Sequence, residues 1–151
     1  MSSCTFIAAN DPLETFKPSQ DYPFHVNIDN GTIDDGGADD NYFLIDFKEV
    51  DLYTDKEYGV VLEWDYTDGR ANSIINYIKD VLQNTDSVEL WHVWLMDIYD
   101  FEDSPVIFSS TISIDDLTIE DIKEINESPI FDHPDERYPD RPSFYCLKIV
   151  R

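Results

Sequence analysis

Carboxylates are the chemistry that this sequence offers in quantity. The stretch DNGTIDDGGADDN, Asp29–Asn41, holds five aspartates and three glycines in thirteen residues. Closely spaced carboxylates on a glycine-rich loop are the ingredients of a calcium site, because that ion accepts flexible oxygen geometry. The spacing fails the EF-hand test, which needs oxygen ligands at alternate positions, glycine sixth and glutamate twelfth. With Gly31 sixth the first ligand is Val26, with Gly36 it is Gly31, and with Gly37 it is Thr32. An irregular site built on Asp34, Asp35, Asp39 and Asp40 is the calcium reading that survives. Asn30-Gly31 has a backbone explanation instead, since a two-residue type I′ hairpin turn demands positive φ at both positions. Counting outward from that turn sets Ile28 opposite Ile33.

Other catalytic constellations are thin. The triplets DFK, Asp46–Lys48, and DIK, Asp121–Lys123, set a carboxylate two residues before a lysine. On a strand that spacing puts a metal ligand and a charge stabiliser on one side. DIK falls in a helical pattern, which removes the geometry. His25, His92 and His133 are the histidines, and His92 lies between aromatics in LWHVWL, as a core or sheet-face residue would. A thiol enzyme needs Cys4 or Cys146 beside a histidine, and no local signature supports either. There is no G-x-S-x-G elbow, phosphate-binding glycine loop, zinc spacing or dinucleotide fingerprint. The expectation is a chain that binds rather than catalyses, with no cofactor.

The elements that must position these residues are legible from period. CTFIAA (Cys4–Ala9), FHVNI (Phe24–Ile28), YFLIDF (Tyr42–Phe47) and YGVVLEW (Tyr58–Trp64) read as strands, with an exposed connection through Asp51, Asp55 and Glu57. In DGRANSIINYIKDVLQN the apolar residues Ala71, Ile74, Ile75, Ile78, Val81 and Leu82 recur at helical spacing. Thr67 or Asp68 caps its start and Asn84 its end. SVELWHVWLMDIY (Ser87–Tyr99) is apolar on both faces near its centre and suits a central strand. PVIFSSTISI follows as its hairpin partner across Asp100–Ser104. A second helix runs from Ile119 to about Asn126, capped by Thr118 with Asp121 in capping-box position. Its inner face is Ile119, Ile122 and Ile125. SPIFDHPDERYPDRP, residues 128–142, carries four prolines and reads as loop. SFYCLKIV closes as a strand. Residues 1–151 are thus expected to form a single α+β domain: a largely antiparallel sheet of about six to eight strands with two helices packed against it.

Charge narrows the partner. The 151 residues hold 33 Asp and Glu against 10 Lys and Arg, a formal −23. Such a surface repels nucleic acid and anionic membrane and attracts cations or basic proteins. No apolar run approaches a membrane span, and the N-terminal residues lack the basic region of a secretory signal. Two cysteines, far apart in the chain, suggest buried free thiols in a reducing cytoplasm, with a disulfide conceivable if their strands are neighbours.

Acids cluster beside aromatics. Nine acidic residues against Lys48 alone lie between Asp29 and Asp55, and DIYDFED, Asp97–Asp103, has four acids and two aromatics. The expected contact surface is Asp34, Asp35, Asp39, Asp40, Tyr42, Tyr53, Asp97, Tyr99, Asp100, Phe101, Glu102 and Asp103. Carboxylates there steer the encounter, and Tyr42, Tyr53, Tyr99 and Phe101 act as desolvated anchors. The competing reading makes those aromatics core and the acids a solvated face.

In size, acidity, aromatic richness and lack of catalytic motifs the chain resembles bacterial toxin-immunity proteins. That resemblance implies a small cytoplasmic protein that neutralises a basic partner, possessing an acidic surface that meets a basic active site. It transfers no individual residue. Two alternatives stay open: a DNA mimic that blocks a DNA-binding protein, and a divalent-metal-binding protein or enzyme. The oligomeric state is open as well.

Overall fold

Ser87–Leu95 (β6) is apolar on both sides, and the fold is arranged to bury it twice. A computed structural model describes residues 2–18, 25–29, 31–34, 42–95, 106–126 and 143–151. Ser2–Ala9 (β1) runs antiparallel to β6 on one side and Ser143–Val150 (β8) antiparallel on the other. Tyr58–Glu63 (β5) pairs with β1, and Phe43–Asp46 (β4) with β5. Val106–Ser113 (β7) completes the six-stranded sheet, in the order β4-β5-β1-β6-β8-β7. His25–Asn27 (β2) and Thr32–Asp34 (β3) make a separate hairpin. The class is α+β, as expected from the sequence.

One face of the sheet is covered by helices. Asp68–Val81 (α1) buries Ala71, Ile74, Ile75, Ile78 and Val81 against Ile7, Val60, Leu62, Val88 and Leu90. Its start is fixed by Thr67, whose side chain accepts from the Arg70 N–H at 3.1 Å. Ile119–Asn126 (α2) buries Ile122 and Ile125. Its capping box forms as expected: the Thr118 N–H donates to Asp121 Oδ2 at 2.9 Å, and the Asp121 N–H to Thr118 Oγ1 at 3.4 Å.

The opposite face carries Phe6, Ala8, Trp91, Val93, Phe144 and Cys146. Phe47, Val50 and Tyr53 lie over it, Phe47 from the end of the expected strand and the other two from the segment expected to be an exposed connection. Lys48–Leu52 is a 3-10 helix that drives Val50 inward. Val50 reaches the sheet because Gly59 lies beneath it. A Cβ built on Gly59 would lie 2.9 Å from both Val50 Cβ and Val50 Cγ2. Glu89 fastens the end of this cover, accepting from Thr54 Oγ1 and, at 3.1 Å, from Trp91 Nε1.

Two expected pairings are corrected. β7 is not a hairpin partner of β6, because β8 lies between them, antiparallel to β6 and parallel to β7. The chain leaves β7 through α2 and returns beside it, a crossover that parallel strands require. Burial explains the order: β8 hides Phe144 and Cys146 on one face and Leu147 and Ile149 on the other, whereas Ser109, Ser110 and Thr111 of β7 are exposed. In the small hairpin Val26, not Ile28, opposes Ile33. A four-residue loop replaces the two-residue turn, with Gly31 at φ 63° supplying the left-handed step and Ile28 left 89% exposed.

Filling the space between β5 and the 3-10 helix tests this packing. Gly59→Ala is expected to lower stability by roughly 1–3 kcal/mol through overpacking. Urea unfolding measures it, and Val50→Ala in the same chain should recover part of the loss. A Gly59→Ala protein as stable as the parent would show that the contact is not tight.

Candidate functional site

Strand parity decides which aromatic side chains of β4 are buried. Tyr42 and Leu44 share the helix-covered face, and both are buried. Tyr42 is 5% exposed and stacks on Phe16 at 4.5 Å. It is therefore core rather than an exposed anchor, which corrects the expected contact surface at that position. Successive side chains on a strand point to opposite faces. So the neighbours Phe43 and Ile45 emerge on the other side, 43% and 45% exposed. Their partners across the ladder are Glu63 and Val61. Leu52, in the 3-10 helix over the same face, is also exposed.

Tyr53 is half-buried in an aromatic cluster, with ring centroids 5.5 Å from both Phe6 and Phe144. Burial raises its phenol pKa, with Cys4 and Glu49 adding to the shift. Of the expected acids, Asp34 ends β3, its Cα paired with His25. Asp35, Asp39, Asp40, Asp97, Tyr99, Asp100, Phe101, Glu102 and Asp103 lie outside the described residues, as does His133.

The exposed strip is set among carboxylates. Asp46, Glu49, Asp51, Asp55 and Glu63 are exposed, and Lys48 is the one exposed cation between Phe43 and Asp55. Val61 and Glu63 also wall a groove of about 490 Å³, which continues past Cys4, Phe47 and Trp64 to Thr5, His92 and Asn126. The groove therefore opens beside the Phe43–Ile45 strip and shares a wall with it.

Four of the polar groups in this groove are engaged in two pairs. Trp64 Nε1 donates to Asn126 Oδ1 at 3.1 Å, joining the end of β5 to the end of α2. His92, 7% exposed, lies opposite Thr5, with Nδ1 and Oγ1 3.0 Å apart. It takes the sheet-face place expected of it. Among the described residues Glu63 is the single carboxylate of the lining. A hydrolytic metal centre draws several oxygen or nitrogen ligands to one point. Among the described residues no group of three or more His, Cys, Asp or Glu is placed to hold a metal ion.

Among the described residues the thiols do not pair with His92 as nucleophile and base. Cys4 pairs with Val93 and Thr5 with His92, so Cys4 and His92 project from opposite faces. Cys146 opposes Trp91, which leaves β6 between the two cysteines. Two strand spacings are about 9–10 Å, beyond the roughly 7 Å that a disulfide spans between Cα atoms. Both are free thiols, and burial pushes each up to about 12.

A second hollow, of about 230 Å³, is lined by Asp11, Glu14, Asp80 and Tyr77. The Tyr77 hydroxyl is committed to the Glu14 carbonyl at 2.7 Å, tying the loop after β1 to α1. Among the described residues no helix is long and apolar enough to cross a membrane.

Sequence reasoning chose Tyr42 and missed Phe43, Ile45 and Leu52. The signal was present in the alternation of YFLIDF, but parity along a strand says which residues share a face and not which face is covered. Neither a family model, nor a curated protein, nor a solved structure matches the chain.

The buried thiols carry a pH dependence. A thiol held near 12 in the folded chain, against an ordinary value near 9, retains its proton more tightly when folded. Folded protein then binds more protons than unfolded protein between those values, so stability falls as pH rises from about 9 toward 12. Urea unfolding across that range should show the decline, and Cys4→Ala with Cys146→Ala should lessen it, leaving the share that the raised phenols of Tyr53, Tyr77 and Tyr145 contribute. An unchanged slope in the double variant would contradict this origin.

Proposed function

We propose that this chain is a non-enzymatic binding protein that captures a basic protein, in the manner of toxin-immunity proteins. The observation that supports it best is the strip of exposed Phe43, Ile45 and Leu52 set among Asp46, Glu49, Asp51 and Glu63. Scattered apolar residues on a surface need no explanation. Here, however, two neighbours on one edge strand share a face with an aromatic core beneath them and carboxylates around them. Binding energy concentrates in such desolvated anchors, and the surrounding charge governs approach and register. A chain at −23 attracts a cationic partner over a distance and rejects acidic ones.

This division of labour gives separable effects. Phe43→Ser with Ile45→Ser removes anchors from exposed positions. It is expected to raise Kd by about tenfold or more through faster dissociation. Asp46→Asn, Glu49→Gln and Asp51→Asn together should mainly slow association and weaken its dependence on salt. The partner to use is a basic protein encoded beside this chain, co-expressed with it and then measured by surface plasmon resonance. Failure to bind any such protein, or equal kinetics for all variants, would sink the reading.

A further inference from the structure

The two edges of the sheet are treated differently. The β4 edge is short and guarded: its strand has four residues, ends at Asp46, and is bridged by Phe16. The Phe16 N–H donates to the Leu44 carbonyl at 3.0 Å, and the Leu44 N–H to Phe16 at 2.9 Å. Proteins commonly blunt edges in this way, with shortness, charge or a covering segment.

Among the described residues β7 has none of these guards. It is eight residues long and pairs throughout its length with β8 on one side. Its sequence, VIFSSTIS, contains no charge, proline or glycine. Ser104–Ile114 is the longest run without Asp, Glu, Lys or Arg in a chain that is 28% charged. Ile107 is 52% exposed, and Ser109, Ser110 and Thr111 are exposed as well.

The orientation of the edge groups follows from one bond. The Ile114 N–H donates to the Val150 carbonyl at 2.7 Å. Alternate residues of a paired strand bond the same neighbour. Ile112, Ser110 and Phe108 therefore face β8, and Ile107, Ser109, Thr111 and Ser113 turn their N–H and C=O toward the other edge, where no described strand pairs with β7.

We propose that β7 is a self-pairing strand, through which two copies of this chain join their sheets antiparallel about a two-fold axis at Ser110. That register sets the outward residues against one another, Ile107 with Ser113 and Ser109 with Thr111 of the second copy. On the helix-covered face it sets Phe108 against Ile112. Charge selects the occupant. Two molecules at −23 repel, so a seam between them must be free of carboxylates, and β7 is. A cationic segment, by contrast, finds no counter-charge on this strand and finds it around β4. Asp115 and Asp116, exposed at the end of β7, leave residual repulsion at the rim.

The dimer is therefore expected to tighten with salt, opposite in sign to capture of a basic protein. Sedimentation of the full chain over a concentration series, at about 0.05 M and about 0.5 M salt, should show Kd falling by about tenfold or more as the rim charges are screened. Hydrogen exchange should show concentration-dependent protection of the Ile107, Ser109, Thr111 and Ser113 amides. Thr111→Pro removes an outward donor without touching the bonds to β8, and Ser109→Glu puts a charge in the seam. Both variants should sediment as monomers with unchanged circular dichroism. A monomer at every concentration and salt overturns the proposal, and so does a dimer that persists in Ser109→Glu.

Discussion

The fold depends on β6 being apolar toward both sides. Val88 and Leu90 point to one face, Trp91 and Val93 to the other, and all four are buried. A strand of this kind has to sit inside a sheet with a cover above and below. β1 and β8 satisfy the first demand by flanking it. α1 and α2 cover one face, and the other is closed by Phe47, Val50 and Tyr53, brought over the sheet by a 3-10 helix resting on Gly59. Among the described residues most of the large side chains are committed by that arrangement, and what remains outside is charge and a few apolar residues at the margins.

Those margins are where the molecule can act. A surplus of 23 negative charges cannot enter the core without partners. Among the described residues the acids lie on loops, helix exteriors and the ends of strands. Around β4 and the 3-10 helix the acids surround exposed apolar groups, which suits a cationic protein. Along β7 the acids stop altogether, which suits an uncharged backbone seam. On the two proposals, one physical variable, the local density of carboxylate, separates the two edges, and ionic strength would move the two contacts in opposite directions.

Much of the architecture was legible beforehand because burial leaves a period. The five apolar positions of α1 with Leu82 at its C-cap, the capping box of α2 and the two-sided apolarity of β6 all appear as read. Strand order was not, since local alternation carries no information about which strands become neighbours. β7 and β8 look alike by propensity, and only the apolarity of both faces of β8 hints that it belongs inside. The 3-10 helix was hidden for a related reason: KEVDL is polar, and the burial of Val50 depends on a glycine nine residues later. At the candidate site the sequence located the acidic neighbourhood but misjudged the anchors. Tyr42 seemed the natural recognition residue by type, and parity placed it in the core. DIYDFED and most of the Asp-rich loop lie outside the described residues.

The most direct test of the central claim is zero-length carboxyl-to-amine crosslinking of the chain in complex with a basic protein encoded beside it, read by mass spectrometry. The account predicts crosslinks from partner lysines concentrated on Asp46, Glu49, Asp51 and Glu63, and lost when Phe43 and Ile45 are replaced by serine. Crosslinks centred on Asp115–Glu124, or spread evenly over the acidic surface, would contradict it.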